Sequence, residues 1–302
     1  MKKLMQATLT AATLLLSAAA SANWMYIDVG SNWYDDQDPA NVSSNGDADS
    51  KTGLFDEFGF SQLLATSIYD FSDGSIFGSF FDTNDAAILA GLGLPASGPS
   101  LGGPNVNLVL PNCPAQCDID ALSPLIPPLL DNQDGEGFLL TWRLLVDYYF
   151  TGTLTAAGPQ FTGGYIRFFF DDRTALNNDR VVIEATLTGS NLTPANLDLF
   201  FDITFAETGF LWIDDGSGNF KDAASGIATG NFARLILDTN VNPPIPDPNE
   251  LLLVGTNAIR QSTLDGSITA TIPEPATIAI LGLGLLGMGA AGRRQRKASK
   301  AA

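Results

Sequence analysis

The sequence predicts an all-β body, an antiparallel β-sandwich or jelly-roll-like domain, followed by a single C-terminal transmembrane helix. Three observations carry this. From about residue 138 the apolar residues recur with a period of two, the mark of strands with one wet face. Clusters of Gly, Pro, Asn, Asp and Ser separate those runs. Apolar segments with cationic flanks stand at both ends of the 302-residue chain.

In chain order, Lys2 and Lys3 precede an apolar run from Leu4 to Ala20, and Ala20-Ser21-Ala22 stands before Asn23. A charged n-region, a hydrophobic core and an A-x-A site are the parts of a secretory signal peptide. Residues 1–22 are therefore expected to be removed, with cleavage between Ala22 and Asn23. Residues 23–272 form the exported body.

The first half of the body alternates less regularly. Strands are expected around Phe58 to Tyr69 and Ile76 to Phe81, with a short helix near Asp85 to Leu92. Residues 91–137 hold eight of the 17 prolines and read as a long irregular loop region. Within it stand the two cysteines, Cys113 and Cys117. In an exported chain such a pair predicts a short disulfide loop, which contributes about 2 kcal/mol by loop entropy. A redox centre would need a thioredoxin-like βαβ pattern, which the sequence lacks.

In the second half, Trp142, Leu144, Val146, Tyr148 and Phe150 are expected to face a core while Thr141, Arg143 and Asp147 face away. The same alternation places Ile166, Phe168 and Phe170 inward. It does so for Val181, Ile183, Ala185 and Leu187, and for Leu197, Leu199, Phe201, Ile203 and Phe205. Ile268, Ala270 and Ile272 close the body. About 250 residues are enough for one sizeable core.

Composition excludes several chemistries. With no histidine there is no Ser/His/Asp or Cys/His triad and no His-ligated zinc. The formal charge is -18, and residues 23–272 alone hold 8 basic against 32 acidic side chains. A polyanionic body repels phosphate backbones, so no nucleic-acid partner is expected.

At the C-terminus, Pro273-Glu274-Pro275 leads into an apolar run over residues 276–292, then a basic tail, residues 293–302, with Arg293, Arg294, Arg296 and Lys297. Seventeen residues rise roughly 26 Å as a helix, the short end of a bilayer span. The cations hold the tail cytoplasmic and place the body outside. This order of elements resembles the PEP-CTERM sorting signal of Gram-negative surface proteins. The resemblance covers residues 273–302. It implies an exosortase-type transpeptidase as partner and a helix serving as transient inner-membrane anchor. It also implies a cell-surface or extracellular-matrix destination, associated with exopolysaccharide, biofilm or floc formation.

Ligand chemistry is confined to oxygen-rich turns and aromatics. Asn45, Asp47 and Asp49 alternate like the front of a calcium loop, but Ser50 stands where an EF-hand needs glycine. Asp131, Asp134 and Glu136 form a second acidic turn, and Asp214, Asp215 and Asn219 a third. Tyr149, Tyr165, Phe169 and Phe200 fall on the polar sides of their strands, where aromatic rings stack on sugars. The expectation is a non-enzymatic exported surface protein with no required cofactor, which associates with extracellular polysaccharide. The alternatives are a calcium-dependent carbohydrate-binding module and a carboxylate-based glycoside hydrolase, the latter needing two carboxylates across a cleft. Glu184, Asp198 and Asp202 are outward-facing acids to place in that light.

Overall fold

Strand pairing in this protein runs full circle. The computed structural model describes residues 23–30, 50–91, 123–126, 135–138, 141–173, 179–193, 196–239, 245–247 and 251–272. The expected signal peptide, the expected C-terminal signal after residue 272, Cys113 and Cys117 lie outside these residues, as do Asn45, Asp47, Asp49, Asp131 and Asp134.

The long strands are β2 (Phe58–Asp70), β5 (Trp142–Thr155), β6 (Gly158–Asp172), β7 (Arg180–Leu192), β8 (Leu197–Ala206) and β13 (Asn257–Thr271). Between them come β3 (Gly78–Thr83), helix α1 (Ala86–Gly91), β4 (Ser123–Ile126), β11 (Arg234–Thr239) and β12 (Leu252–Val254). All neighbours are antiparallel, in the order β2, β3, β5, β6, β7, β8, β11, β13. Strand β13 then pairs with β2 from Asn257↔Asp70 to Ile268↔Phe58, which joins the two edges of the sheet. The all-β expectation holds, and two sheet layers wrap one core as in a sandwich. The β13–β2 pairing adds closure, so among the described residues the main sheet has no long free edge to aggregate.

The slot between β2 and β5 is filled by two short strands end to end. Strand β3 pairs with Thr66–Tyr69 of β2 at one end, and β4 with Gly59 and Phe60 at the other. Strand β4 lies within the proline-rich stretch, so that region supplies part of the wall. Where β3 ends, the side chain of Asn84 continues the ladder. Its Nδ2 donates to Val146 O at 2.9 Å and its Oδ1 accepts from Tyr148 N at 2.8 Å.

The inward sets meet in register. Tyr148, Ile166, Ala185 and Ile203 form one row, and Phe58, Ile268, Leu237 and Leu199 another. All are buried in a single core. A smaller sheet of β1 (Met25–Ile27), β9 (Leu211–Asp214) and β10 (Phe220–Asp222) adds Met25, Ile27, Leu211 and Ile213 to that core. Asn23 ties it to β13, its N–H donating to Ala270 O at 3.3 Å. Helix α1 puts Leu89 against Ile68 and Ile259 on the outer face. The 3-10 turn η1 (Ala223–Thr229) is capped by the Asp222 carboxylate, which accepts from Ala224 N.

Two expected inward residues face out. Register shifts place Phe205 opposite Glu184 and Val181 opposite Phe169, so Phe205 is 45% exposed and Val181 half-buried, while Val182 and Ala206 turn inward. A bulge inserts one residue and reverses the parity of every residue after it.

Candidate functional site

The outer face of β5, β6 and β7 gathers the charged and aromatic residues that sequence alternation put on the wet side. Asp147, Arg167 and Glu184 form one cross-strand row, and Tyr149, Tyr165 and Thr186 the next. Arg167 Nε donates to Asp147 Oδ1 at 2.8 Å, and its Nη2 donates to Asp147 Oδ2. The same Nη2 reaches Asp85 Oδ2 at 3.3 Å, and the Tyr165 hydroxyl donates to that oxygen at 3.1 Å. Asp85 is brought there by the turn into α1, whose Ile88 N–H its other oxygen accepts at 3.3 Å.

Asp147 is only 6% exposed, and burial pushes its carboxyl above the usual range. The Arg167 hydrogen bonds and charge oppose that shift, while Asp85 and Glu184 add to it. Arg167 is in turn held above its ordinary value, chiefly by its hydrogen bond to Asp147. Burial also raises Tyr165 to about 12.

The guanidinium has a second effect on the expected sugar platform. Arg167 stands 4.7 Å from the Tyr165 ring centroid and 5.8 Å from that of Phe169, so a cation already covers these rings. Tyr149 packs beside them, 6.1 Å from Tyr165 and 5.4 Å from Phe81. Phe200 lies apart on β8, opposite Ile236.

The outward acids named in the sequence do not converge. Glu184 joins the Arg167 row, Asp202 accepts from Arg234 Nε at 3.2 Å, and Asp198 stands opposite Asp238. Burial first, then Asp198 and Glu57, raise the Asp238 carboxyl. In the third oxygen-rich turn, Asp214 Oδ1 accepts from Gly216 N and Gly218 N at 3.0 and 2.9 Å. Asp215 pairs with Lys221 at 2.8 Å, which holds its carboxyl well below the usual range. These oxygens shape their own loop. Glu136 is 2% exposed with a left-handed φ of 46°, and its carbonyl accepts from Trp142 Nε1 at 2.7 Å. Among the described residues no group of three or more acidic or thiol side chains is placed to hold a metal ion.

Inside the barrel is a cluster that the outward-facing motifs of the sequence do not reveal. Arg260, Ser67, Asp82 and Phe150 share one row across β13, β2, β3 and β5. Asp82 Oδ1 is sealed from solvent with no hydrogen-bond partner among the described residues. Burial pushes its carboxyl up to about 6, against the pull of Ser67 and Arg260. Burial likewise raises Tyr69, 3% exposed, to about 12. The signal was in the alternation itself: Asp82 shares parity with Phe80, and Arg260 with Ala258.

The last strand of the barrel ends at Thr271. Residues 271–297 match the family model of the PEP-CTERM protein-sorting motif. The chain carries a PEP-CTERM sorting signal. Pro273, Glu274, Pro275 and the arginines at 293, 294 and 296 all fall within the matched span. A PEP-CTERM signal implies an exported protein handled by an exosortase. No curated protein and no solved structure matches the chain.

Proposed function

We propose that this PEP-CTERM protein is a non-enzymatic component of the cell-surface matrix of a Gram-negative bacterium, associated with exopolysaccharide in biofilm or floc formation. The observation that carries the reading is the junction at Thr271, where the closing strand β13 runs straight into the sorting motif. Nothing separates the barrel wall from the signal, so handling of the signal fixes the barrel itself at the membrane or matrix. The helix after Pro275 serves as the temporary inner-membrane anchor, and the exosortase removes or transfers it. The end of the barrel at which β13 stops faces the point of attachment. The opposite end, with the β5–β6 and β7–β8 turns, faces outward.

Mass spectrometry of the mature protein tests the route. The expected product begins at Asn23 and lacks the Arg-rich terminus; an exported form retaining Arg293 to Lys297 overturns it. Matrix fractionation tests the role, with the protein expected to remain with the polysaccharide fraction after washing. Calcium is not required in this reading, so thermal unfolding is expected to be the same with and without EDTA. A drop in Tm on chelation would move the assignment to a calcium-dependent module.

A further inference from the structure

We infer that the barrel wall between β6 and β7 holds a binding groove for a neutral oligosaccharide. The β6–β7 ladder ends at Tyr165↔Thr186. Beyond it, among the described residues, the ladder partners of residues 158–164 lie on β5 and those of residues 187–192 on β8. Two bulges part the strands. On β6 the register shifts opposite Thr151 and Gly152, and on β7 it shifts between Leu187 and Gly189. Gly164 makes the first bend feasible: its φ is 129°, and a Cβ there would lie 2.0 Å from Tyr149 O.

The parting leaves a cleft of about 500 Å³ between residues 157–162 and 188–192. A second depression of about 380 Å³ shares Thr188 and Gly189 with it and extends to Phe200, Arg234 and Ile236. The two adjoin at Thr188 and Gly189, and each volume lies in the size range of small-ligand sites.

Its chemistry selects the ligand class. In a body with 8 basic and 32 acidic residues, the first cleft is lined by no ionisable side chain. Gln160, Thr162, Thr188 and Asn191 are exposed there and present amides and hydroxyls, with Leu192 beside them. In the second depression Arg234 is paired with Asp202, and Phe200 supplies a ring. Neutral hydrogen-bonding groups next to apolar surface suit the hydroxyls and C–H faces of an uncharged sugar chain. An added peptide strand is disfavoured. Ser190 Oγ accepts from Phe161 N at 2.9 Å and donates to Phe161 O at 3.2 Å, which occupies both backbone groups of Phe161 midway along the stretch an incoming strand would pair with.

The biological meaning of this groove rests on the surface role proposed above, but its test does not. Gly189 lies at the junction of the two depressions, and a Cβ there meets nothing within 4 Å. Gly189→Trp therefore starts from open space and is expected to fill the groove. The purified exported protein is titrated against neutral tetrasaccharides of glucose, galactose, mannose and xylose, with a uronate tetrasaccharide and an extended peptide as controls. At least one neutral tetrasaccharide is expected to bind, and Gly189→Trp to weaken it at least tenfold with unchanged thermal unfolding. The double variant Gln160→Ala/Asn191→Ala is expected to weaken it about tenfold through lost hydrogen bonds. No neutral binding, binding of the uronate or peptide alone, or full affinity in both variants overturns the groove. Matrix retention without any neutral-sugar binding overturns the groove while leaving the surface role standing. Binding without matrix retention does the reverse.

Discussion

Arg167 grips both carboxylate oxygens of Asp147 directly across the β5–β6 ladder, on the wet face of the barrel. The Asp147 side chain is 8% exposed and that of Arg167 30%, so the pair is largely withdrawn from water. Removing one partner of a buried pair leaves an uncompensated charge, which costs more than the pair contributes. Arg167→Ala is expected to lower stability by about 2 kcal/mol in urea unfolding, discounted for the exposure of the guanidinium. Adding Asp147→Asn to it is expected to recover part of that loss. An additive double-mutant cycle would show that the two groups do not interact.

Asp82 gives the fold an acid-side pH dependence. Its carboxyl titrates at about 6 in the folded barrel and near 3.9 unfolded, so the folded state holds its proton more tightly. The group's stabilising contribution is therefore fully present below about pH 4 and is lost as pH rises through about 6. Two pH units correspond to about 3 kcal/mol at most. Asp82→Asn is expected to flatten the stability profile between pH 4 and 6; an unchanged slope would place the titration elsewhere.

Asn84 makes a sharper prediction, because its amide stands in for a strand residue between β3 and β4. It is 2% exposed and satisfies both Val146 O and Tyr148 N. Asn84→Ala orphans two buried backbone groups at roughly 1–3 kcal/mol each. A loss of about 3 kcal/mol is expected, with hydrogen exchange at Tyr148 N accelerated more than at Ile166 N.

At Gly152 and Gly164 the facing backbone of the β5–β6 pair occupies the space a Cβ would take. A Cβ at Gly152 would lie 2.2 Å from Gln160 O, and at Gly164 2.0 Å from Tyr149 O. Both contacts are with backbone, which cannot swing aside. Alanine at Gly164 also meets a left-handed φ, so its cost is expected to exceed about 3 kcal/mol. Gly189→Ala has open space and is expected to change stability by less than about 1 kcal/mol.

Much of this was readable from residue order, because alternation and turn chemistry are local. Trp142 through Phe150, Ile166 through Phe170 and Leu197 through Ile203 all face the core as their parity requires. The helix after Asp85 and the sorting motif after Thr271 also stem from contiguous residues. Bulges were not readable, since one inserted residue leaves composition unchanged while reversing every later side chain; Phe205 and Val181 are the result. Nor does any local pattern state that β13 returns to β2 across almost two hundred residues. That pairing sets Arg260 beside Ser67 and, through β3, near Asp82. The groove at Gly189 likewise exists only because two distant bulges diverge in space. The chain's own order thus determined strands, core faces and destination, which depend on neighbours in sequence. Closure of the sheet, the buried carboxylate and the cleft beside Gly189 were decided by tertiary structure, because each depends on which strands meet.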